Sequence, residues 1–196
     1  MVFDFEDIEP TKRYKLMAGS IIPRPIAWIV TKNKEGKTNI APFSYFTALS
    51  SNPPTLIVSV GHKSDGSQKD TLKNIRESKK CTLCLVKEED LEVMHFSSKE
   101  LDNSISEADE FDIKTDTIDN DFPPKISSSP VAFLCELYQE INLKESKTIP
   151  LILKIKKEYI EDKCVDDSLR VEFSPVARLG GEYAFLSEHI DAPRIP

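Results

Sequence analysis

Residues 61–71, GHKSDGSQKDT, carry the most legible chemistry in this chain. Two glycines and three hydroxyl side chains (Ser64, Ser67, Thr71) lead into a segment where Leu72 and Ile75 have helical spacing. A polar loop opening onto a helix leaves backbone N–H groups without intrahelical partners, and the helix dipole adds partial positive charge. Lys69 stands at that terminus, Lys63 and Lys73 are near in sequence, and the hydroxyls can donate to an anion. The pattern suits a phosphate. It also suits a plain helix after a solvated loop, because Ser67 precedes Asp70 at the spacing of a capping box.

A second constellation lies at 39–54, NIAPFSYFTALSSNPP. Ser44, Thr47, Ser50 and Ser51 interrupt an otherwise apolar run containing Phe43, Phe46 and Leu49. Small polar residues between aromatics suit a flat, hydrogen-bonding ring that needs close backbone approach. They equally suit an edge strand with one solvated face. Other groups point to less. Cys81 and Cys84 lie in a strand-like run whose odd spacing turns them to opposite faces, and no helix N-terminus is there to activate them. Cys135 and Cys164 have no metal-ligand spacing, and His62, His95 and His189 are far apart. Ser50 and Ser51 lack the G-x-S-x-G elbow of a hydrolase nucleophile.

The elements that must position these groups are mainly strands. A short helix fits 10–18, and strands fit 25–32, 38–50, 55–60, 80–86, 131–142, 148–161 and about 168–178. Pro23 and Pro25 delay the first strand or put it at an edge, and Pro42 predicts a bulge or bend. Gly36 marks a hairpin turn. One helix follows the 61–68 loop, the acidic 88–112 segment reads as one or two surface helices, 113–130 as an extended loop, and the tail from Gly180 as loop. Strands do not alternate regularly with helices, so a doubly wound sheet is excluded in favour of an antiparallel barrel with peripheral helices. No G-x-G-x-x-G fingerprint is present.

The 196 residues fit one domain over 1–196 and can bury a core without disulfides or metal. A net charge of −7 argues against wrapping nucleic acid but permits one small anion at a local basic patch. No apolar run approaches a membrane span, and the acidic N-terminus MVFDFEDIEP is not a targeting peptide, so the expected location is the cytoplasm, with the cysteines as thiols.

Taken together, the motifs resemble the flavin reductase-like family, whose fold is the FMN-binding split β-barrel. The resemblance rests on Pro23-Arg24-Pro25-Ile26-Ala27-Trp28 with Thr31, on Asn39-Ile40-Ala41-Pro42-Phe43-Ser44-Tyr45-Phe46 with Ser50 and Pro53-Pro54, and on Ser59-Val60-Gly61. It continues through Lys69-Asp70-Thr71-Leu72-Lys73-Asn74-Ile75 and, more weakly, 129–132 and 175–183, spanning about 20–185. The resemblance implies FMN along 39–51, with backbone groups of Asn39, Ala41 and Pro42 near the ring. Ser44, Thr47, Ser50 and Ser51 would hydrogen-bond to ring, ribityl chain or phosphate. Thr31 would approach from the neighbouring strand, and Lys69, Asp70 and Thr71 would lie at the phosphate. His62 would be near the phosphate loop, while Arg178 and Tyr183 would be near the ring or a dimer contact. It further implies a homodimer whose interface forms the flavin sites.

The expected function is an FMN-dependent oxidoreductase, most simply an NAD(P)H:flavin reductase using NADH or NADPH, with no dedicated catalytic side chain. Alternatives are a non-catalytic, flavoredoxin-like FMN electron carrier, a flavoprotein acting on another substrate, or a cofactor-free interaction module. A redox protein is a partner to test for.

Overall fold

Apolar runs rich in Val, Ile and Leu pair into one antiparallel sheet, and short polar insertions hold the helices. The computed structural model describes residues 1–186 and Ile190. In chain order the elements are α1 (Pro10–Ser20), β1 (Arg24–Pro25), β2 (Ala27–Lys32), β3 (Thr38–Phe43), β4 (Phe46–Ser51), β5 (Pro54–Val60), α2 (Asp70–Ser78) and β6 (Lys80–Cys84). There follow α3 (Leu91–Phe96), α4 (Glu107–Glu110), β7 (Thr115–Asp116), β8 (Lys125–Ile126), β9 (Val131–Glu140), β10 (Ile149–Ile160), β11 (Val176–Leu179) and β12 (Glu182–Phe185). No helix among the described residues is long and apolar enough to cross a membrane.

Seven strands form one sheet in the order β3-β2-β6-β9-β10-β5-β4. Its two edge strands, β3 and β4, are joined in sequence by only Ser44 and Tyr45. So short a link reaches only a few ångströms. The sheet must therefore curl until its edges approach, and the Ser59 N–H donating to the Tyr45 carbonyl at 2.8 Å extends the β4–β5 ladder into the link. The edges do not pair with each other, so the barrel is split along β3 and β4.

Period-two alternation supplies two cores. Ala27 and Ile29 of β2, with Cys81 and Leu83 of β6, face a buried cluster that Leu72 and Ile75 of α2 complete. Trp28 and Val30, with Cys84, face the other side, where Met94 and Ile113 cover them. Cys81 and Cys84 thus point to opposite faces, as their spacing predicts, and all four cysteines are free and buried. Burial pushes the Cys81 thiol up to about 12 and Cys84 to about 11, and raises Cys135 well above the ordinary value. At pH 8 such thiols are ionised in only about one molecule in 10³ to 10⁴. Ellman's reagent should therefore leave these three unmodified in the folded protein and react once guanidinium unfolds it. Rapid labelling of any of them, mapped by peptide mass spectrometry, would contradict the burial.

Several expectations need correction. Pro42 makes no bulge: β2 and β3 pair in unbroken register, Trp28 opposite Pro42 and Ile29 opposite Ala41. As an edge strand, β3 tolerates the missing N–H. Register shifts fall instead in the pairing of β4 with β5 and of β10 with β9. The expected strand at 168–178 contracts to Val176–Leu179, and the tail from Gly180 is not all loop, since β12 pairs back on β11. Gly180, at φ 52°, with Gly181 supplies the left-handed turn such a hairpin requires. The 88–112 segment is not only surface, because Met94 is fully buried and Glu107 is 6% exposed. His189 lies outside the described residues.

Candidate functional site

The edge strand β3 is the wall of the site. Its outer margin faces two adjoining hollows that meet at Ser98, just after α3. One is bounded by Asn39, Ala41, Lys63, Lys69, Thr71 and Glu100. The other, of about 200 Å³, is bounded by Tyr14, Pro42, Ser44, His95, Arg178 and Tyr183. At roughly 3.3 Å per residue, Asn39 to Ser44 extends about 16 Å. The groove therefore joins a helix terminus at one end to an aromatic, hydrogen-bonding wall at the other.

The helix end differs from a capped helix. The loop before it closes on itself, with the Lys63 N–H donating to the Ser67 carbonyl at 2.8 Å and Gly66 at φ 86°. The Ser67 N–H donates to Asp65 Oδ1 at 2.8 Å. Ser67 is thus used in the turn, the cap position falls to Lys69, and no side chain caps α2. This overturns the capping-box alternative and leaves the first-turn N–H groups without a side-chain cap among the described residues. Lys63 Nζ pairs with Asp70 at 2.8 Å, and that bond raises the lysine's pKa. Lys69 Nζ is 3.7 Å from Glu100.

Behind this end lies a polar relay. Asn39 Nδ2 donates to Thr71 Oγ1 at 3.0 Å and to Thr31 Oγ1 at 3.3 Å, and Asn74 Nδ2 donates to Thr31 Oγ1 at 3.0 Å. Thr31 and Thr71 are 0% and 1% exposed, so both act through Asn39 rather than reaching the groove freely. Glu107 closes the same region. Its Oε2 accepts from the Ile40 N–H at 3.0 Å, satisfying a donor of the edge strand. Burial raises its pKa.

A carboxyl raised by folding holds its proton more tightly when folded. Its stabilising contribution is complete below the unfolded value of about 4.3 and is lost as pH rises through the raised folded value. Glu107→Gln keeps an acceptor for Ile40 and should remove that part of the decline, seen in urea melts compared across the window. Glu107→Ala leaves the N–H unpaired and should cost about 1–3 kcal/mol at either end of the window.

The other end is built by β11, β12 and α3. Tyr183 Oη lies 2.8 Å from His95 Nδ1. The Arg178 guanidinium sits 4.4 Å over the Tyr183 ring, and its Nε donates to the Gly180 carbonyl at 3.1 Å. Among the sequence candidates, Asn39, Ala41, Pro42, Ser44, Lys69, Asp70, Thr71 and Arg178 border the groove, with Thr31 behind Asn39. His62 does not, for its Nδ1 lies 2.5 Å from the Lys147 carbonyl. Thr47, Ser50 and Ser51 stand exposed on β4, at the other edge of the split. Sequence reasoning missed His95, Ser98, Glu100 and Glu107. They lie in an acidic stretch with no motif, and only the folding of that stretch over β3 brings them in.

A more voluminous hollow, of about 320 Å³, adjoins the helix end. There Lys34, Lys37 and Lys73 are matched by Glu35, Asp70 and Glu77, so it offers no net charge to a ligand.

Residues 17–166 match the flavin reductase like domain. The chain belongs to that family. The 2-nitrobenzoate 2-nitroreductase of Pseudomonas fluorescens is 29% identical, covers 100% of this chain and 96% of its own, and superposes with a TM-score of 0.89. Nitrilotriacetate monooxygenase component B of Bacillus cereus is 26% identical, covers 98% of each chain, and gives 0.91. A split-barrel protein of Shewanella frigidimarina, 19% identical over 100% of both chains with a TM-score of 0.85, shares the fold. The chain is thus a mainly β, antiparallel split barrel, as the resemblance implies.

Proposed function

We propose that this flavin reductase family member is a cytoplasmic FMN-binding oxidoreductase, in the simplest case an NAD(P)H-dependent flavin reductase. The carrying observation is the groove along β3, with uncapped helix donors and Lys69 at one end and the Ser44–His95–Arg178–Tyr183 wall at the other. The residues present fit the group. A cation, a hydroxyl and free N–H groups suit a phosphate, and β3 offers exposed edge backbone beside small side chains for a flat ring. Lys69 would hold the phosphate, Asn39 would be aimed by Thr31 and Thr71, and Ala41, Pro42 and Ser44 would carry the ring. When bound, FMN would supply the hydride-accepting centre for a nicotinamide. The protein's share is binding, orientation and exclusion of water, so no side chain need act as acid or base.

The groove of one chain is small beside the roughly 300–1,000 Å³ usual for a ligand pocket. This supports a homodimer in which a partner copy completes each site. Thr47, Ser50 and Ser51, exposed on β4, would then serve the partner subunit's flavin.

The test is direct. The purified protein should be yellow or take up FMN, mass spectrometry of released ligand should identify it, and NADH or NADPH should bleach the oxidised-flavin band within seconds. A protein that binds no flavin would end this reading. Rapid bleaching by a redox protein, with slow bleaching by both nicotinamides, would replace the reductase with an electron carrier. The 29% identity to a nitroreductase favours one further reading, flavin-dependent reduction of an aromatic nitro group. Nitroarene-dependent nicotinamide oxidation that outpaces free-flavin reduction would select it.

A further inference from the structure

The helix end of the groove already holds an anion of the protein's own. Glu100 lies on the irregular segment between α3 and α4. Its carboxylate accepts from the Ser64 N–H at 3.1 and 3.3 Å and from Ser64 Oγ at 2.7 Å, and it stands 3.7 Å from Lys69 Nζ. One backbone N–H, one hydroxyl and one ammonium are the donors a phosphate oxygen would take. The hydrogen bonds from Ser64 lower the Glu100 pKa, so the group is charged at neutral pH. With this side chain in place the hollow holds about 30 Å³. That admits about two waters, at roughly 10–15 Å³ each, and leaves no room for a phosphate group beside the carboxylate.

Resting on the flavin-phosphate reading above, we propose that Glu100 is a specificity-determining residue: it occupies the donors of Ser64 and Lys69 until a ligand phosphate displaces it. Two anions on one donor set repel, so the carboxylate and the phosphate exclude one another. The displacement has a fixed root. Trp28 Nε1 donates to Ser97 Oγ at 2.9 Å, and Ser97 Oγ donates to the Met94 carbonyl at 2.8 Å, both in buried surroundings. Beyond Ser97, Ser98, Lys99 and Glu100 are exposed and free of that packing. An internal competitor of this kind scales the apparent affinity down by the fraction of molecules in the unblocked form. It acts on ligands that carry the phosphate and spares those that lack it.

FMN and riboflavin titrations of wild type, Glu100→Gln, Glu100→Ala and Lys69→Ala test this, followed by quenching of flavin fluorescence. Both Glu100 variants should bind FMN about 10–100-fold more tightly, the one to two decades of a charge-assisted hydrogen bond, with riboflavin changed less than about twofold. Inorganic phosphate, followed by emission of the single tryptophan, Trp28, should show the same order. FMN affinity unchanged or weakened in both Glu100 variants, with Lys69→Ala still selectively weakening FMN, would overturn the proposal and leave Glu100 as a brace for Ser64. Equal tightening of both flavins would also overturn it, because a widened groove needs no competitor. If Lys69→Ala likewise failed to separate FMN from riboflavin, the phosphate reading itself would fall.

Discussion

Lys69→Ala should weaken FMN by about one to two decades while riboflavin binds nearly as before. The loss of one charge-assisted contact to a phosphate is worth about 1.5–3 kcal/mol, and riboflavin has no phosphate to lose it from. The structure makes Lys69 the cleanest place to ask. Lys63 is held by Asp70 at 2.8 Å, whereas Lys69 makes, among the described residues, the looser Glu100 contact at 3.7 Å. Thr71 is a different case. Its buried hydroxyl accepts from Asn39, so Thr71→Ala should loosen Asn39 and weaken both flavins together. Fluorescence titrations with both ligands measure these ratios, and equal loss for FMN and riboflavin in Lys69→Ala would place the phosphate elsewhere.

This contrast shows where the sequence was informative about the site. The loop-to-helix pattern at 61–71 pointed to an anion from residue types alone, since glycines, hydroxyls and a terminal lysine are local signals. It could not decide whether Ser67 caps the helix. That depends on whether the loop closes, which Asp65 and Gly66 accomplish through contacts spanning only a few residues. Glu100 and His95 carried no signal. Each gains meaning from a partner dozens of positions away, Ser64 for one and Tyr183 for the other. His62 erred in the opposite direction: adjacent in sequence to the phosphate loop, it turns to Lys147 in the β9–β10 connection.

The fold divides in the same way. Strands buried on both faces, such as Ala27–Lys32 and Lys80–Cys84, announce themselves as short, nearly continuous apolar runs, and their alternate residues supply the two cores. The split does not, because it requires that β3 and β4 be edges as well as neighbours in sequence. Pro42 points to the first condition, but a proline signals either an edge or a distortion, so the residue type alone does not choose between an edge strand and a bulge or bend. The β11–β12 hairpin was readable in principle from Gly180-Gly181 between alternating residues, but its strands are only four residues each.

The largest effect on turnover should come from bulk on the β3 wall. Ala41 and Ser44 are partly exposed, bordering the two ends of the groove, and neither belongs to the packed cores. A larger side chain there fills the groove rather than the packed cores. Ala41→Leu and Ser44→Phe should therefore leave melting close to wild type while tilting or excluding the flavin. A displacement of about 1 Å between hydride donor and acceptor costs on the order of a hundredfold in rate. Leu83 is the matched control. It is fully buried on β6, two strands in from β3, and opposes Ile29 and Phe133 in the packed core. Leu83→Phe should overpack that core and cost about 1–3 kcal/mol while the surviving folded protein reduces bound flavin at the normal rate. Urea melts and stopped-flow reduction of bound flavin read the two quantities separately. If Ala41→Leu and Ser44→Phe behaved as Leu83→Phe does, losing stability with reduction unchanged, the ring would not lie along β3.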